Sequence, residues 1–154
     1  MTNTPRISKA CLVILGISFA LCQSATDADS SKSQGKIFVY RYKQFQGSAL
    51  KPSFYLDDGE LARVENGRYF AINIKPKEYT LRSNDKQSGI RLKVEPGKMY
   101  FVRVEIATGF AKGHGRVVSV PNEQGIVELQ KLKPLPSSRV QNATLVSLEN
   151  APER

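Results

Sequence analysis

The stretch "GIRLKVEPGKMYFVRVEI", residues 89 to 106, decides the fold. In its first half Ile90, Leu92 and Val94 alternate with Arg91, Lys93 and Glu95. In its second half Tyr100, Val102, Val104 and Ile106 alternate with Phe101, Arg103 and Glu105. Successive side chains of a strand point to opposite faces, so each half reads as a strand with one buried and one wet face. Pro96-Gly97 reads as the turn that joins them. Setting Val94 opposite Tyr100 aligns the two apolar faces, and a slip of one residue would undo that. The register places Arg91 opposite Arg103 on the wet face, with Lys93 beside Phe101.

Working outward, more strands follow by the same signals. "KIFVYRY" (36–42) is a β-branched and aromatic run. "SFYL" (53–56) and "ELARV" (60–64) flank Asp57-Asp58-Gly59, a hairpin turn. Asn66-Gly67 marks another turn, before "RYFAINI" (68–74) with Phe70, Ile72 and Ile74 on one face. "EYTLRS" (78–83) follows Pro76, and "RVVSV" (116–120) closes the series. After Pro121 the period changes: Ile126, Leu129 and Leu132 stand three apart, which predicts a short helix capped by Asn122 and weakened by Gly125. The expectation is a mainly β domain over residues 36–133, an antiparallel β-sandwich of about seven strands with one short C-terminal helix. Its expected core contains Phe70, Ile72, Ile90, Leu92, Val94, Tyr100, Val102 and Val104.

"FYLDDGELARVENGRYFAINIKPKEYTLRS", together with "VEPGKMYFVRVEI", resembles an uncharacterised bacterial family of exported single-domain proteins and lipoproteins. The resemblance covers most of residues 36–133 and implies a small prealbumin-like or carboxypeptidase-regulatory-like sandwich. It implies no reaction and no catalytic residues. One departure is Lys77 in Pro76-Lys77-Glu78-Tyr79, where the family usually has glycine. The other is Leu21, a bulky residue before Cys22 where a lipidation signal has a small one.

The ends of the chain differ from its middle. Arg6 and Lys9 precede the apolar run "ACLVILGISFALC" (10–22), which suits a signal-peptide core and is short of the roughly 20 residues of a membrane span. Residues 1–25 therefore read as a signal peptide cleaved after Ser24 or Ala25. An uncleaved anchor and lipidation of Cys22 are the alternatives. Both cysteines, Cys11 and Cys22, lie in this segment, so the processed chain would carry no disulfide. Residues 26–35 read as a flexible linker, and 134–154 as a mostly disordered tail.

Over its 154 residues the chain has 23 Lys and Arg against 14 Asp and Glu, a net charge of +9. Such a chain attracts anions, and export points away from nucleic acid towards an anionic envelope polymer or another envelope protein. The basic residues Arg91, Lys93 and Arg103 around Phe101 form the candidate binding set, although a merely solvated sheet face would show the same alternation. "GFAKGHG" (109–115) carries the single histidine, His114. Its glycine spacing fits neither a Walker loop nor a dinucleotide fingerprint, and a strand follows it instead of a helix. No metal-ligand spacing and no cofactor motif stands out. The reading is thus an exported protein of the periplasm or cell envelope, a non-catalytic binding or structural module. The alternative is a hydrolase using His114.

Overall fold

A computed structural model describes residues 33–84, 89–107 and 114–153. The expected signal peptide, residues 26–32 of the expected linker and the glycine loop up to residue 113 lie outside these residues. In chain order the elements are β1 (Gly35–Tyr40), β2 (Ser53–Leu56), β3 (Gly59–Arg63), β4 (Arg68–Ile74), β5 (Glu78–Arg82), β6 (Ile90–Lys93), β7 (Met99–Ala107), β8 (His114–Val120), α1 (Asn122–Leu129), β9 (Lys133–Pro134) and β10 (Val146–Ser147). Among the described residues no helix is long and apolar enough to cross a membrane.

Two sheets form the sandwich. The first has the order β10-β4-β1-β7-β8, with β9 also pairing β4, and the second has the order β3-β2-β5-β6. Most pairs are antiparallel, as expected for the sandwich, but β1 runs parallel to β7 at the centre of the first sheet. Ile37, Val39, Phe54, Phe70, Ile72, Leu81, Val94, Val102 and Val104 fill the space between the sheets, with Ile90, Leu92 and Tyr100 packed at its margin. All eight expected core residues therefore face the core.

The first sheet is buried on both sides. Phe38, Tyr40, Tyr69, Ala71, Phe101, Val120 and Leu129 form a second apolar cluster between this sheet and α1. This explains the unbroken apolar run of β1, since a strand covered on both faces has no wet side to alternate with. The molecule thus has three layers: helix, mixed sheet, antiparallel sheet.

The predicted hairpin between the two opening strands is corrected. β6 pairs with β5, and β7 pairs with β1 and β8. Pro96-Gly97 lies at a corner where the chain leaves one sheet and enters the other, with Gly97 at φ 68° and its N–H donating to the Gln34 carbonyl at 2.9 Å. The physical reason is that alternation specifies the inward face and leaves the neighbour open. Two inward faces are satisfied equally well side by side or across a sandwich.

The last segment, expected as mostly disordered, packs along one side of the sandwich. Leu135 is 2% exposed, and its N–H donates to the Tyr69 carbonyl at 2.7 Å. Val140 bridges Ala62 of β3, and β10 pairs with β4, so this segment joins both sheets. Its apolar residues are few but placed to be buried, which composition does not reveal. Where it does match expectation, Asp57-Asp58 makes the β2–β3 turn. There the left-handed residue is Asp57, at φ 53°, instead of Gly59. Aspartate tolerates this conformation, and its carboxylate accepts the Thr80 N–H at 2.9 Å.

Candidate functional site

The four residues proposed as one binding surface lie on two different sheets. Arg91 and Lys93 project from β6 on the outer face of the four-stranded sheet and are exposed. Phe101 and Arg103 project from β7 on the helix side of the other sheet. Phe101 is 1% exposed, its ring stacked on Phe38 with centroids 5.4 Å apart. The grouping of these two with Arg91 and Lys93 is therefore corrected, because it followed from the β6–β7 register that the corner at Pro96-Gly97 removes.

Arg103 belongs to a polar cluster under α1 that sequence reasoning missed. Its guanidinium pairs with Glu105 at 2.7 Å and with Glu128 at 3.2 Å, and stands 5.4 Å from the centre of the Tyr42 ring. The Tyr40 hydroxyl donates to Glu128, and the Gln124 amide donates to the same carboxylate at 2.6 Å. Burial alone would raise the Glu128 carboxyl, but hydrogen bonds from Tyr40, Tyr42 and Gln124 and the charge of Arg103 hold it below the usual range. Burial, with the adjoining carboxylate, raises Tyr40 and pushes Tyr42 up to about 12. The phenols stay protonated and the carboxylate ionised at neutral pH. These groups are locked as donors and acceptor and are poorly suited to exchange protons with a substrate. The arrangement fastens the helix to the sheet. Its only sequence trace is the pair Tyr40 and Tyr42 beside a strand end, with Glu128 on the inner face of the predicted helix.

The outer face of the four-stranded sheet is different. Nothing among the described elements packs across it. Tyr55 lies near its middle, paired with Arg82 of β5. Thr80 pairs with Arg91, and Glu78 with Lys93. Arg63 is the outward residue at the end of β3, held at 3.5 Å from Glu60. Arg82 is braced by the Asp57 carbonyl at 2.7 Å and the Asp58 carboxylate at 2.9 Å. The cations Arg63, Arg82, Arg91 and Lys93 and the carboxylates of Asp58, Glu60 and Glu78 thus share this face with Tyr55. At the β6 end of this face an open groove of about 490 Å³ begins, lined by Pro76, Val94 and Pro96, by Lys77 and Lys93, and by Glu78 and Glu95. Lys77 lies 4.5 Å from the centre of the Tyr79 ring. Arg63, Tyr55 and Arg82 join the set that sequence reasoning assigned to β6. The signal was present for Tyr55 and Arg82, since the alternation in "SFYL" and "EYTLRS" turns them outward, but not for Arg63, because a bulge between β2 and β3 breaks the alternation of "ELARV".

His114 opens β8, its backbone opposite Ala107. The next residue, Gly115, packs so closely on the ends of the other sheet's strands that a Cβ there would lie 2.1 Å from the hydroxyl oxygen of Ser83, just after β5. This glycine serves close packing between the sheets. No group of three or more His, Cys, Asp or Glu among the described residues is placed to hold a metal ion.

Sequence comparison adds two findings. A family described as "Protein of unknown function (DUF2846)" matches residues 31–116. An uncharacterised protein of Haemophilus influenzae is 29% identical over 103 residues, 66% of this chain and 61% of the relative. The chain thus spans about three-fifths of that relative's length. The family match holds the four-stranded sheet with its basic outer face and groove, together with β1, β4 and β7 of the first sheet and the start of β8. It ends before α1 and Glu128.

Proposed function

The chain belongs to the DUF2846 family of proteins of unknown function, and we propose that it is an exported, non-catalytic binding module that holds an anionic polymer of the cell envelope on the outer face of its four-stranded sheet. One observation carries this reading: the face left open by the fold is the one that carries Arg63, Arg82, Arg91 and Lys93, with Tyr55 beside Arg82. Cations spaced along neighbouring strands meet the repeated charges of a polyanion, and a tyrosine among them offers a surface on which a sugar ring can stack. The groove beyond Lys93 gives a chain leaving the sheet an apolar floor. Export rests on the apolar run at residues 10–22 behind Arg6 and Lys9.

The test replaces Arg63, Arg91 and Lys93 together by glutamine and leaves Arg82, which braces the Asp57 turn. On an anionic polysaccharide column the triple variant elutes at clearly lower salt than wild type, with an unchanged melting temperature. Elution at the wild-type salt concentration overturns the proposal. His114→Ala leaves retention unaltered, and loss of a hydrolytic activity in that variant would favour the hydrolase reading instead. Fractionation of the producing cell, with sequencing of the mature N-terminus, tests export separately.

A further inference from the structure

At the end of the sandwich opposite the groove, residues 41–52 form a loop held from within. Arg41 is 1% exposed, yet its guanidinium serves only the loop, donating to the Leu50 carbonyl at 2.5 Å and the Gly47 carbonyl at 2.7 Å. The Asn66 side chain clamps Gln44 from both sides, accepting its N–H at 2.9 Å and donating to its carbonyl at 2.8 Å. Between these braces stands Phe45, 99% exposed, with Leu50 at 41% on the same loop. A phenyl ring that contacts nothing gains nothing from folding, so a fully buried arginine and four side-chain hydrogen bonds hold a ring that leaves the domain's own core unserved.

The charge around the ring names an occupant. Residues 41–56 contain no carboxylate, and with Arg41 buried the cations they offer to the outside are Lys43 and Lys51. Lys51 reaches Glu65 at 3.4 Å, and Lys43 is exposed beside the Asn66-Gly67 turn. Exposed aromatic and aliphatic side chains flanked by lysines match a bilayer interface, where the apolar groups enter the acyl boundary and the ammonium groups remain among anionic headgroups. We propose that this loop is a membrane-surface anchor in which Phe45 inserts into an anionic lipid leaflet and Lys43 contacts the headgroups. This surface is separate from the polymer-binding face and does not depend on it.

The chain has no tryptophan, so Phe45→Trp introduces a single reporter. In the protein as purified from the producing cell, that indole shifts to shorter wavelength and is quenched by brominated acyl chains when phosphatidylglycerol-containing vesicles are added. Pure phosphatidylcholine vesicles leave it unchanged. Phe45→Ser weakens sedimentation with the anionic vesicles about tenfold, and its melting temperature equals that of wild type because the ring packs against nothing. An indole that stays solvent-exposed with anionic vesicles, or a Phe45→Ser variant that sediments as wild type does, overturns the proposal. So does self-association that needs Phe45 in the absence of lipid, which would make the ring a contact between protein copies.

Discussion

Gly125 shows how one position serves two levels of structure. In a helix glycine costs about 1 kcal/mol relative to alanine, which is why it weakens the sequence signal for α1. In the structure the helix rests on the Phe101 ring there, and a Cβ would lie 2.2 Å from its Cγ. The favourable propensity of alanine therefore meets an overlap that only displacement of the helix can relieve. Gly125→Ala is expected to destabilise the protein by about 1–3 kcal/mol, read from urea unfolding; a stabilised variant would show that the helix shifts freely. Phe101 illustrates the same limit from the other side. Alternation places it opposite Val102 and Val104, and that is where it lies. Whether that opposite side meets water or a helix depends on residues more than twenty positions later, so its exposure could not be read from the strand.

At the scale of elements, the pairing of α1 with the first sheet depends on Glu128 as an acceptor for Tyr40, Gln124 and Arg103. Its folded-state carboxyl lies below the ordinary value of 4.5. A carboxyl depressed by folding contributes stability that is fully present above the unfolded value and lost as pH falls through the folded one. Wild type is therefore expected to lose stability progressively below pH 4.5, and Glu128→Gln to show a flatter acid limb in chemical denaturation. Glu128→Ala leaves the Tyr40 hydroxyl without its acceptor and Arg103 with Glu105 alone. It should cost about 2–4 kcal/mol at neutral pH. Equal acid limbs for wild type and Glu128→Gln would place the dependence on another carboxyl, such as Glu65, which Arg139 also holds low. Strand positions, the Asp57-Asp58 turn and the short helix were legible because each is a local pattern. The partner of each strand was not, and the candidate surface inherited that gap: Arg91 and Lys93 share an exposed face, while Phe101 and Arg103 face the helix.

For the whole molecule, the C-terminal segment is a third party to the sandwich. It pairs with β4 through β9 and β10 and touches β3 at Val140, so one side of the two sheets is bound together by residues beyond the helix. A chain ending at Pro134 keeps β9 but loses buried Leu135, the β10 pairing and the Val140 bridge, and should be destabilised by at least about 3 kcal/mol, seen as a lower melting temperature. An unchanged temperature would make the segment peripheral. Composition hides such a role, since the segment looks polar and its few apolar residues act only through where the chain carries them. The central position of β1 has a consequence of another kind, in the order of events during synthesis. β1 is the first strand of the domain to be made, yet its two partners begin at Arg68 and Met99. A strand that waits for a parallel neighbour some sixty residues downstream closes a long loop before it gains that contact, which slows folding. While the chain is still emerging, β1 has only β4 to pair with, and its other edge stays open until β7 arrives. For the proposed export in extended form, such an arrangement would keep the earliest strand from locking the fold before the chain has crossed.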